Sequence, residues 1–572
     1  MNAILLTSLK DTYLLKGDEI SGIAGAYPII QENRSLNLDY FLDYPSPEVD
    51  LYDLVGEISL GWYGNDVAST GKIQEISIGA MLNRRVLVEL SSALRYYFAF
   101  NKYTNKYDKI LISNNIPDSL SLVTEYFADS VEFFHSDNEF DRHITPSPLR
   151  GLVSGPRIHI FFSKILRILQ RPFLRYLKGK VLIINDWTYK KVKNTNCLNI
   201  NKFNPVRTFC LSSGLEHLNH AEQIFPYDID RGSISYNIEK ILVGFNIDSS
   251  IKCDLVNLFT KIVQKEYLEH REKFIKIYCA YREMFEYYEP SMIVSPGYST
   301  AEYQVLCRIA RLKQVPIMFV QDGFMFSLDK YLFMHNKNQV TDYFAIMGDY
   351  VGDLYRSIFD DIKTIKIYPP VVQTHRAKKD KGIGRSAIIL FPYGYIFSPY
   401  CRWDKKYKYV IDVVDVLSNL GYKDIKVKMK PGFEPFNRET ENQLMRDLLD
   451  KNNYIDVKMI FGEFSDYLMD SSLVIGQMST AIIEAVYQET PYYVYEPYSL
   501  GFTEKMIRES ILEISTISRD AHELKKAILD ENDVRLNKGK IFNGITLNDL
   551  DYKKLINDYH NKKISTILKL TS

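Results

Sequence analysis

The stretch Ser471–Tyr495, SSLVIGQMSTAIIEAVYQETPYYVY, decides the fold class of this protein. Within it, Leu473–Gly476 is a short apolar run that ends in glycine, which is typical of a buried strand. Thr480–Tyr487 has helical periodicity, and Tyr492–Tyr495 is again rich in residues that favour strands. Two strands joined by a helix predict a βαβ unit, whose strands pair in parallel.

The same alternation of strand and helix patterns begins further upstream. Ser386–Phe391 (SAIILF) is a near-continuous apolar run of the kind found in fully buried parallel strands. Lys405–Leu420 is helical in period, Gly421 is its expected C-cap, and Ile425–Met429 alternates as a strand. We therefore predict an α/β lobe with a parallel sheet over residues 376–510.

The first half of the chain is less regular, but polar residues again follow short apolar runs. A polar, basic stretch over Thr374–Arg385 is typical of a linker and predicts a boundary near residue 380. We expect residues 1–375 to form an N-terminal, acceptor-side lobe with a helical insertion near 215–290. Residues 511–572 are predicted to form a C-terminal helical segment that packs back on the lobes.

The composition argues against several classes of function. The chain has 71 basic and 71 acidic residues, so no global electrostatic field favours nucleic acid as a partner. Its six cysteines are scattered without a close pair, which predicts neither a disulfide framework nor a zinc site. The start lacks the features of a signal peptide, and no apolar run is long enough for a spanning helix. We expect a cytoplasmic protein.

Two carboxylates are candidates for catalysis. Val320–Lys330 reads VQDGFMFSLDK, so Asp322 follows a buried strand at the place where open α/β sheets bind ligands. Asp322 would act as a nucleophile or general base, although Asp-Gly is also a common turn dipeptide. Glu302 follows another strand-to-helix turn and is a second candidate acid or base, with simple surface exposure as the alternative.

A candidate anion site lies in the second lobe. Ser479 and Thr480 follow Gly476 at a helix start, where hydroxyls, free N–H groups and the helix dipole favour a phosphate. Glu484, one turn into that helix, can accept hydrogen bonds from ribose hydroxyls. The alternative is an ordinary N-cap followed by an exposed glutamate.

Two further turns should open onto the same cleft. Lys428 and Lys430 lie on one face of a predicted strand, and Pro431 turns the chain after them. These cations can compensate a nucleotide phosphate, or they form a solvated edge of lysines. Tyr393 and Gly394 follow the first strand of this lobe in a second such turn.

These motifs resemble those of GT-B glycosyltransferases of capsule and teichoic-acid synthesis. A Lys-x-His-Pro-like turn paired with a Ser-Thr/Ser-x-x-x-Glu-Ala helix start is found in bacterial polysialyltransferases, Kdo transferases and polyol-phosphate polymerases. Here Lys430 stands at the His position of the turn. Gln321–Ser327 (QDGFMFS) is similar to the Glu-Asp-Gly-Phe-x-Arg-Ser stretch of the retaining β-Kdo transferases, with Phe326 at the Arg position. The resemblance covers mainly residues 290–500.

The resemblance implies an α/β GT-B fold, in which two Rossmann-like lobes face a central cleft. It implies a metal-independent transferase that moves a CMP-activated ulosonic or sialic-type acid (Kdo-like) onto a growing bacterial surface polysaccharide. The donor is a nucleotide sugar, the acceptor an oligosaccharide or lipid-linked glycan, and no other cofactor is implied. Asp322 matches the candidate nucleophile of the β-Kdo transferases and the basic carboxylate of polysialyltransferases, so retention and inversion both stay open.

Two other functions stay open on the same residues. One is a CDP-polyol phosphate transferase of the teichoic-acid type, and the other is a non-catalytic subunit of a polysaccharide assembly complex. Residues 156–180 mix basic with apolar side chains, as do segments that lie on an anionic membrane face. This peripheral contact would place the protein at the inner face of the cell membrane, whereas a core helix with a basic outer face would not.

Overall fold

The protein is described from a computed structural model. In the part of the chain that it describes, parallel sheets are layered with helices, so the prediction of an α/β protein is confirmed. The described residues are 2–5, 20–25, 38–40, 51–64, 72–73, 76–114, 116, 118–135, 181–183, 231–295, 301–321, 341–347, 363–367, 385–392, 403–429, 438–462, 464–477, 479, 481–498, 512–513, 517–533, 535–536 and 550–571.

The first sheet has the order β3-β2-β1-β6-β7, and all of its strands pair in parallel. The strand order reverses between β1 and β6, which makes this place a topological switch point. The elements of this region are β1 (Asn2–Leu5), β2 (Ile20–Gly25), β3 (Leu38–Tyr40), α1 (Leu51–Gly61), β4 (Lys72–Ile73), β5 (Ile76–Ser77), α2 (Ile78–Thr104), β6 (Lys109–Ser113), α3 (Asp118–Thr124) and β7 (Val131–Phe134). Strands β4 and β5 form a separate antiparallel pair.

The second sheet follows chain order, β8 to β12, and is also parallel. The described part of residues 1–375, which we expected to form one lobe, thus contains two five-stranded parallel sheets. The elements are β8 (Val181–Ile183), α4 (Arg231–Leu242), α5 (Ser249–Tyr288), β9 (Met292–Ser295), α6 (Ala301–Leu312), β10 (Ile317–Val320), β11 (Tyr343–Ile346) and β12 (Lys363–Lys366). Helices α4 and α5 lie in the range assigned to the helical insertion, and α5 packs against α2, α4 and α6.

The third sheet has the order β15-β14-β13-β16-β17-β19 with parallel pairing throughout. Counted along the chain this is 3-2-1-4-5-6, the order of the dinucleotide-binding Rossmann fold. The elements are β13 (Ser386–Leu390), α7 (Trp403–Asn419), β14 (Asp424–Lys428), α8 (Arg438–Lys451), β15 (Lys458–Ile460), α9 (Ser465–Leu468), β16 (Leu473–Gly476), α10 (Ala481–Tyr487), β17 (Tyr492–Tyr495), β18 (Leu512–Glu513), β19 (Ile517–Ser518), α11 (Ala521–Leu529) and β20 (Arg535–Leu536). Strand β19 extends this sheet past residue 510, where we placed the end of the lobe.

Local sequence explains the boundaries of these elements. Strand β16 is buried along its whole length, as its apolar run predicts. Helix α7 ends as predicted before Gly421, whose φ of 79° lies in the left-handed region. The N–H of Tyr422 then donates to the Leu417 carbonyl, which closes the end of the helix.

The last helix, α12 (Tyr552–Thr571), returns to the second sheet. Leu555 is buried against that sheet, and its carbonyl accepts a hydrogen bond of 2.7 Å from the Tyr343 hydroxyl. At the exposed margin, Lys363 and Asp558 form an ion pair with an N–O distance of 3.3 Å. The chain therefore leaves the third sheet and covers part of the second one.

Candidate functional site

The topology of the third sheet positions the candidate site. Strands β13, β14, β16 and β17 are parallel neighbours, so their carboxyl ends lie at one edge. The strand order reverses between β13 and β16, where Ile389 is in register with Ile475. Ligands of open α/β sheets bind in the crevice outside such a reversal. Gly476, the last residue of β16, therefore stands at the predicted ligand edge.

Gly476 is required by a close approach to neighbouring side chains. A Cβ atom at this position would lie 2.2 Å from the Tyr492 hydroxyl oxygen and 2.8 Å from Cδ1 of Leu390. Both distances are far below van der Waals contact, and Tyr492 is fully buried. The glycine therefore lets β16 end directly against the Tyr492 hydroxyl.

The Tyr492 hydroxyl holds the turn that follows β16. It donates a hydrogen bond of 2.5 Å to the Gln477 carbonyl. Burial raises the pKa of the Tyr492 phenol, so the hydroxyl keeps its proton and stays a donor. The Ser479 carbonyl accepts from the N–H of Ile482, which starts α10. The buried Tyr492 hydroxyl thus anchors the start of the turn that leads into α10.

Replacing Tyr492 by phenylalanine is expected to leave the fold intact and to weaken nucleotide binding. The ring still fills its site, so we expect a loss of only about 1 kcal/mol in the free energy of unfolding from the missing hydrogen bond. CMP is the nucleotide that the sequence resemblance implies for this edge, and its affinity, measured by calorimetry, should fall because the turn is no longer held.

Tyr495→Phe is the matched control, because the buried Tyr495 hydroxyl on the same strand bonds to Asp412 of α7 at 2.9 Å instead. This variant should lose similar stability and keep its CMP affinity. Equal losses of affinity in both variants would show that Tyr492 does not set the turn.

Buried lysines lie at the same edge as this turn. Lys428, at the end of β14, is 5% exposed and its Nζ donates to the Met429 carbonyl at 2.8 Å. It is therefore not part of a solvated edge of lysines. Lys406 on α7 is 2% exposed, with its Nζ 5.2 Å from the centre of the Phe391 ring. The N–H of Phe391 donates to the Lys428 carbonyl, which brings the ends of β13 and β14 together.

Sequence reasoning missed Lys406, although the chain carried a signal for it. Tyr409, Val410 and Val413 are buried on one face of α7, and Lys406 precedes them on the same face at helical spacing. A lysine within the apolar stripe of a helix marks a cation that the fold takes out of water.

The side chain of Lys426, two residues before Lys428, forms hydrogen bonds toward the opposite edge of the sheet. Its Nζ donates to the Asp424 carboxylate at the start of β14, as does the Nζ of Lys458. Burial raises the pKa of Asp424, but hydrogen bonds from Lys426, Lys458 and Ser386 outweigh it and lower that pKa to about 2. Of the lysines of β14, Lys426 therefore belongs to a structural ion cluster, whereas Lys428 lies at the ligand edge.

The structure brings together part of the predicted site. Gly476, Ser479 and Lys428 lie at one edge of the third sheet, and Glu484 is half-buried on α10. Gln321, one residue before Asp322, is buried after β10 of the second sheet, where its side-chain oxygen accepts from the Met347 N–H at 2.7 Å. Glu302 lies on α6, but its side chain is outside the described residues. Also outside are Asp322, Tyr393, Gly394, Lys430, Pro431 and Thr480.

Within the described ranges, Glu266, Glu269 and His270 of α5 form a group whose ligand atoms lie within 4.8 Å of one another. A metal ion there would have to compete with existing cations. Arg85 of α2 donates to both carboxylate oxygens of Glu266, and the Nζ of Lys265 lies 3.7 Å from Glu269. We interpret the group as an ion-pair network between helices.

The membrane hypothesis rests on residues 156–180, which lie outside the described residues. Among the helices of the described part, none has the length and hydrophobicity that crossing a bilayer requires. The peripheral contact stays a prediction.

Comparison with known proteins adds little to the geometry. No protein-family model matches the chain, and no curated protein matches it. Among solved structures, it is similar to UDP-N-acetylglucosamine 2-epimerase from Rickettsia bellii, with 12% identity and a TM-score of 0.31 over 52% of this chain and 78% of the epimerase. It is also similar to MurG from Acinetobacter baumannii, with 10% identity and a TM-score of 0.26 over 45% of this chain and 70% of MurG. Likenesses at these TM-scores carry no argument about function, which therefore depends on the residues of this chain.

Proposed function

We propose that this protein is a GT-B glycosyltransferase that moves a sugar from a nucleotide-activated donor to a glycan acceptor. The observation that carries the proposal is the strand order of the third sheet, which is that of nucleotide-binding Rossmann folds and reverses between β13 and β16. The second sheet precedes it in the chain and α12 returns to that second sheet, an arrangement in keeping with two linked lobes.

The proposed donor is a CMP-linked acidic sugar of the Kdo or sialic type. The sequence motifs around Gly476 and Asp322 support this choice, as does the edge chemistry. Lys406 and Lys428 would offset the phosphate charge that grows as CMP leaves, and the Ser479 turn would orient that phosphate. Glu484 would accept hydrogen bonds from the ribose hydroxyls.

Asp322 is proposed to act at the anomeric carbon. As a base, it would take the proton of the acceptor hydroxyl while that oxygen attacks and CMP departs with the bonding electrons. As a nucleophile, it would first form a glycosyl ester with loss of CMP. The acceptor hydroxyl would then displace the carboxylate and pass its proton to water. The first route inverts the anomeric configuration and the second retains it.

Product formation with a panel of CMP-, UDP- and CDP-linked donors tests the proposal. Wild-type protein should transfer from a CMP-sugar, and Asp322→Asn should lower turnover by about a hundredfold or more. CMP affinity should be unchanged in that variant, because Asp322 is assigned to the sugar. Asp470→Asn, at an exposed aspartate, is the matched control and should behave as wild type.

Each other outcome points away from this assignment. Full activity of Asp322→Asn would remove Asp322 from the mechanism. Transfer from UDP-sugars alone would contradict the CMP donor, and transfer from CDP-glycerol or CDP-ribitol would indicate a polyol-phosphate transferase. Absence of nucleotide binding would favour a non-catalytic subunit of an assembly complex.

The proposed location at the inner membrane face follows from a lipid-linked acceptor.

A further inference from the structure

Phe391 is an aromatic side chain at the ligand edge of the third sheet. It directly follows Leu390, the last residue of β13. Leu390 in turn lies against Gly476, because a Cβ atom on the glycine would be 2.8 Å from Cδ1 of Leu390. Phe391 therefore stands next to the reversal of strand order, where open α/β sheets bind their ligands.

Both the ring and the backbone of Phe391 are fixed by their surroundings. Ala387 and Ile389 are fully buried and Phe391 is 8% exposed, so these alternate residues turn one face of the strand to the core. The N–H of Phe391 donates to the Lys428 carbonyl at 3.0 Å, which continues the pairing of β13 with β14 by one residue. Core packing thus holds the ring, and the strand that carries Lys428 holds the backbone.

The ammonium of Lys406 lies over this ring, with its Nζ 5.2 Å from the ring centre. A cation within about 6 Å of a ring centre is attracted by the negative face of the ring. Lys406 is 2% exposed, so water screens this attraction little. The flexible carbon stem of a lysine can place its ammonium in many positions, and the ring favours one of them. Phe391 therefore sets where this positive charge lies at the ligand edge.

A charge that is placed before the ligand arrives favours an anion through space. Its contribution depends on the distance between the ammonium and the anion, so it is sensitive to the position that the ring selects. Without the ring, the lysine side chain has to be ordered at the moment of binding, and this ordering lowers affinity. The effect of Phe391 on a nucleotide should therefore be confined to its phosphate.

We propose that Phe391 is a positioning residue for the donor phosphate and acts through the ammonium of Lys406. This role rests on the proposed function, which assigns the phosphate of the nucleotide to this edge. The negative face of the ring holds the cation, and the cation offsets the charge that grows on the phosphate as CMP leaves.

The affinities of the full chain for CMP and for cytidine, measured by calorimetry and by ligand-observed NMR, test the proposal. Phe391→Leu keeps an apolar side chain but removes the ring, so CMP affinity should fall about tenfold. Cytidine lacks the phosphate, so its affinity should stay that of wild type. Phe391→Tyr keeps the ring face and should bind CMP as wild type does.

Fluorinated phenylalanine at position 391 separates the charge distribution of the ring from its shape. Fluorine withdraws electrons from the ring face, so CMP affinity should fall in steps from phenylalanine through its monofluoro to its trifluoro form. The shape hardly changes along this series, which therefore decides the question even if Phe391→Leu does not fold. In a Lys406→Met background the same series should leave CMP affinity unchanged, because the cation is gone.

A contact between a ring and a cation at the amino edge of the same sheet provides the matched control. The guanidinium carbon of Arg385 lies 5.9 Å from the centre of the Tyr422 ring, and these residues precede β13 and β14. Tyr422→Leu also removes a ring that packs against the core, so it should lose stability. Its CMP affinity should stay that of wild type.

The outcomes separate this proposal from the proposed function. If wild type does not bind CMP, the donor assignment fails and the role of Phe391 fails with it. If wild type binds CMP and neither Phe391→Leu nor the fluorinated series weakens that binding, only the positioning role is overturned. Equal losses of affinity for CMP and cytidine would also overturn it, because they would assign Phe391 to the nucleoside or to the fold.

Discussion

Arg85→Met is expected to lower the free energy of unfolding by about 3–5 kcal/mol, the usual cost of breaking a buried ion pair from one side. Arg85 of α2 binds both carboxylate oxygens of Glu266 on α5, and the two side chains are 18% and 7% exposed. Removing the guanidinium leaves the Glu266 carboxylate buried with His270 as its remaining partner in the cluster. Urea unfolding followed by circular dichroism measures the loss.

An exposed pair provides the matched control. Lys261 and Glu125 are joined at 2.6 Å, with side chains that are 35% and 52% exposed. Lys261→Met should therefore cost no more than about 1 kcal/mol. The double variant Arg85→Met with Glu266→Met should regain most of the stability, since no buried charge is left alone. A double variant as unstable as Arg85→Met would show that packing, rather than charge, explains the loss.

The same pair predicts a dependence of stability on pH. Burial raises the pKa of Glu266, but the nearby His270 ring and the hydrogen bonds from Arg85 outweigh it, so the folded-state pKa lies below the usual 4.5. A depressed carboxyl pKa stabilises the fold above the unfolded-state value, and this contribution is lost as the pH falls through the folded-state value. Wild type should therefore lose stability in acid more steeply than Arg85→Met. In that variant the guanidinium is gone, so burial raises the pKa of Glu266 instead of being outweighed.

Gly476→Ala is expected to cost about 2–3 kcal/mol of unfolding free energy, from overpacking and a displaced hydrogen bond. The new methyl group would lie 2.2 Å from the Tyr492 hydroxyl, which is fully buried and cannot swing away. To make room, the hydroxyl must leave the Gln477 carbonyl or the end of β16 must move. Either change displaces the turn at the ligand edge, so CMP affinity should fall as well.

Two variants test the cause of this effect. Adding Tyr492→Phe to Gly476→Ala removes the atom in closest conflict, so the double variant should lose less stability than the sum of the two single variants. Gly244→Ala is the control, because its added carbon would meet its nearest neighbour, the Ile241 carbonyl, at 3.4 Å. That change should be neutral or stabilising by up to about 1 kcal/mol. Additive losses in the double variant would remove Tyr492 as the cause.

The elements of the third sheet were predictable because each depends on a short stretch of chain. Apolar runs of four to six residues predicted β13, β16 and β17, and helical period with a following glycine predicted α7 and its end at Gly421. The position of Gly476 at a strand end was also predictable. The need for glycine at this position was not predictable, because the Tyr492 hydroxyl that leaves no room for a Cβ comes from the neighbouring strand β17.

Other features depend on residues far apart in the chain. Arg85 and Glu266 are separated by 181 positions, and neither residue stands out in its own sequence context. Lys406 has a local signal, its place in an apolar helical stripe, but the Phe391 ring that it faces comes from β13. The presence of two separate parallel sheets in the described part of residues 1–375 likewise depends on which strands pair.

Local sequence patterns alone predicted the α/β class, the strands β13, β14, β16 and β17, the helices α7 and α10, and the candidate residues at their ends. Periodicity and turn chemistry act over a few residues, and they suffice for these features. Strand order, the two switch points and the burial of Lys406 and Lys428 were decided only by the tertiary structure. The physical reason is that pairing and burial depend on which segments meet, and an apolar strand pairs equally well with several neighbours until packing selects one.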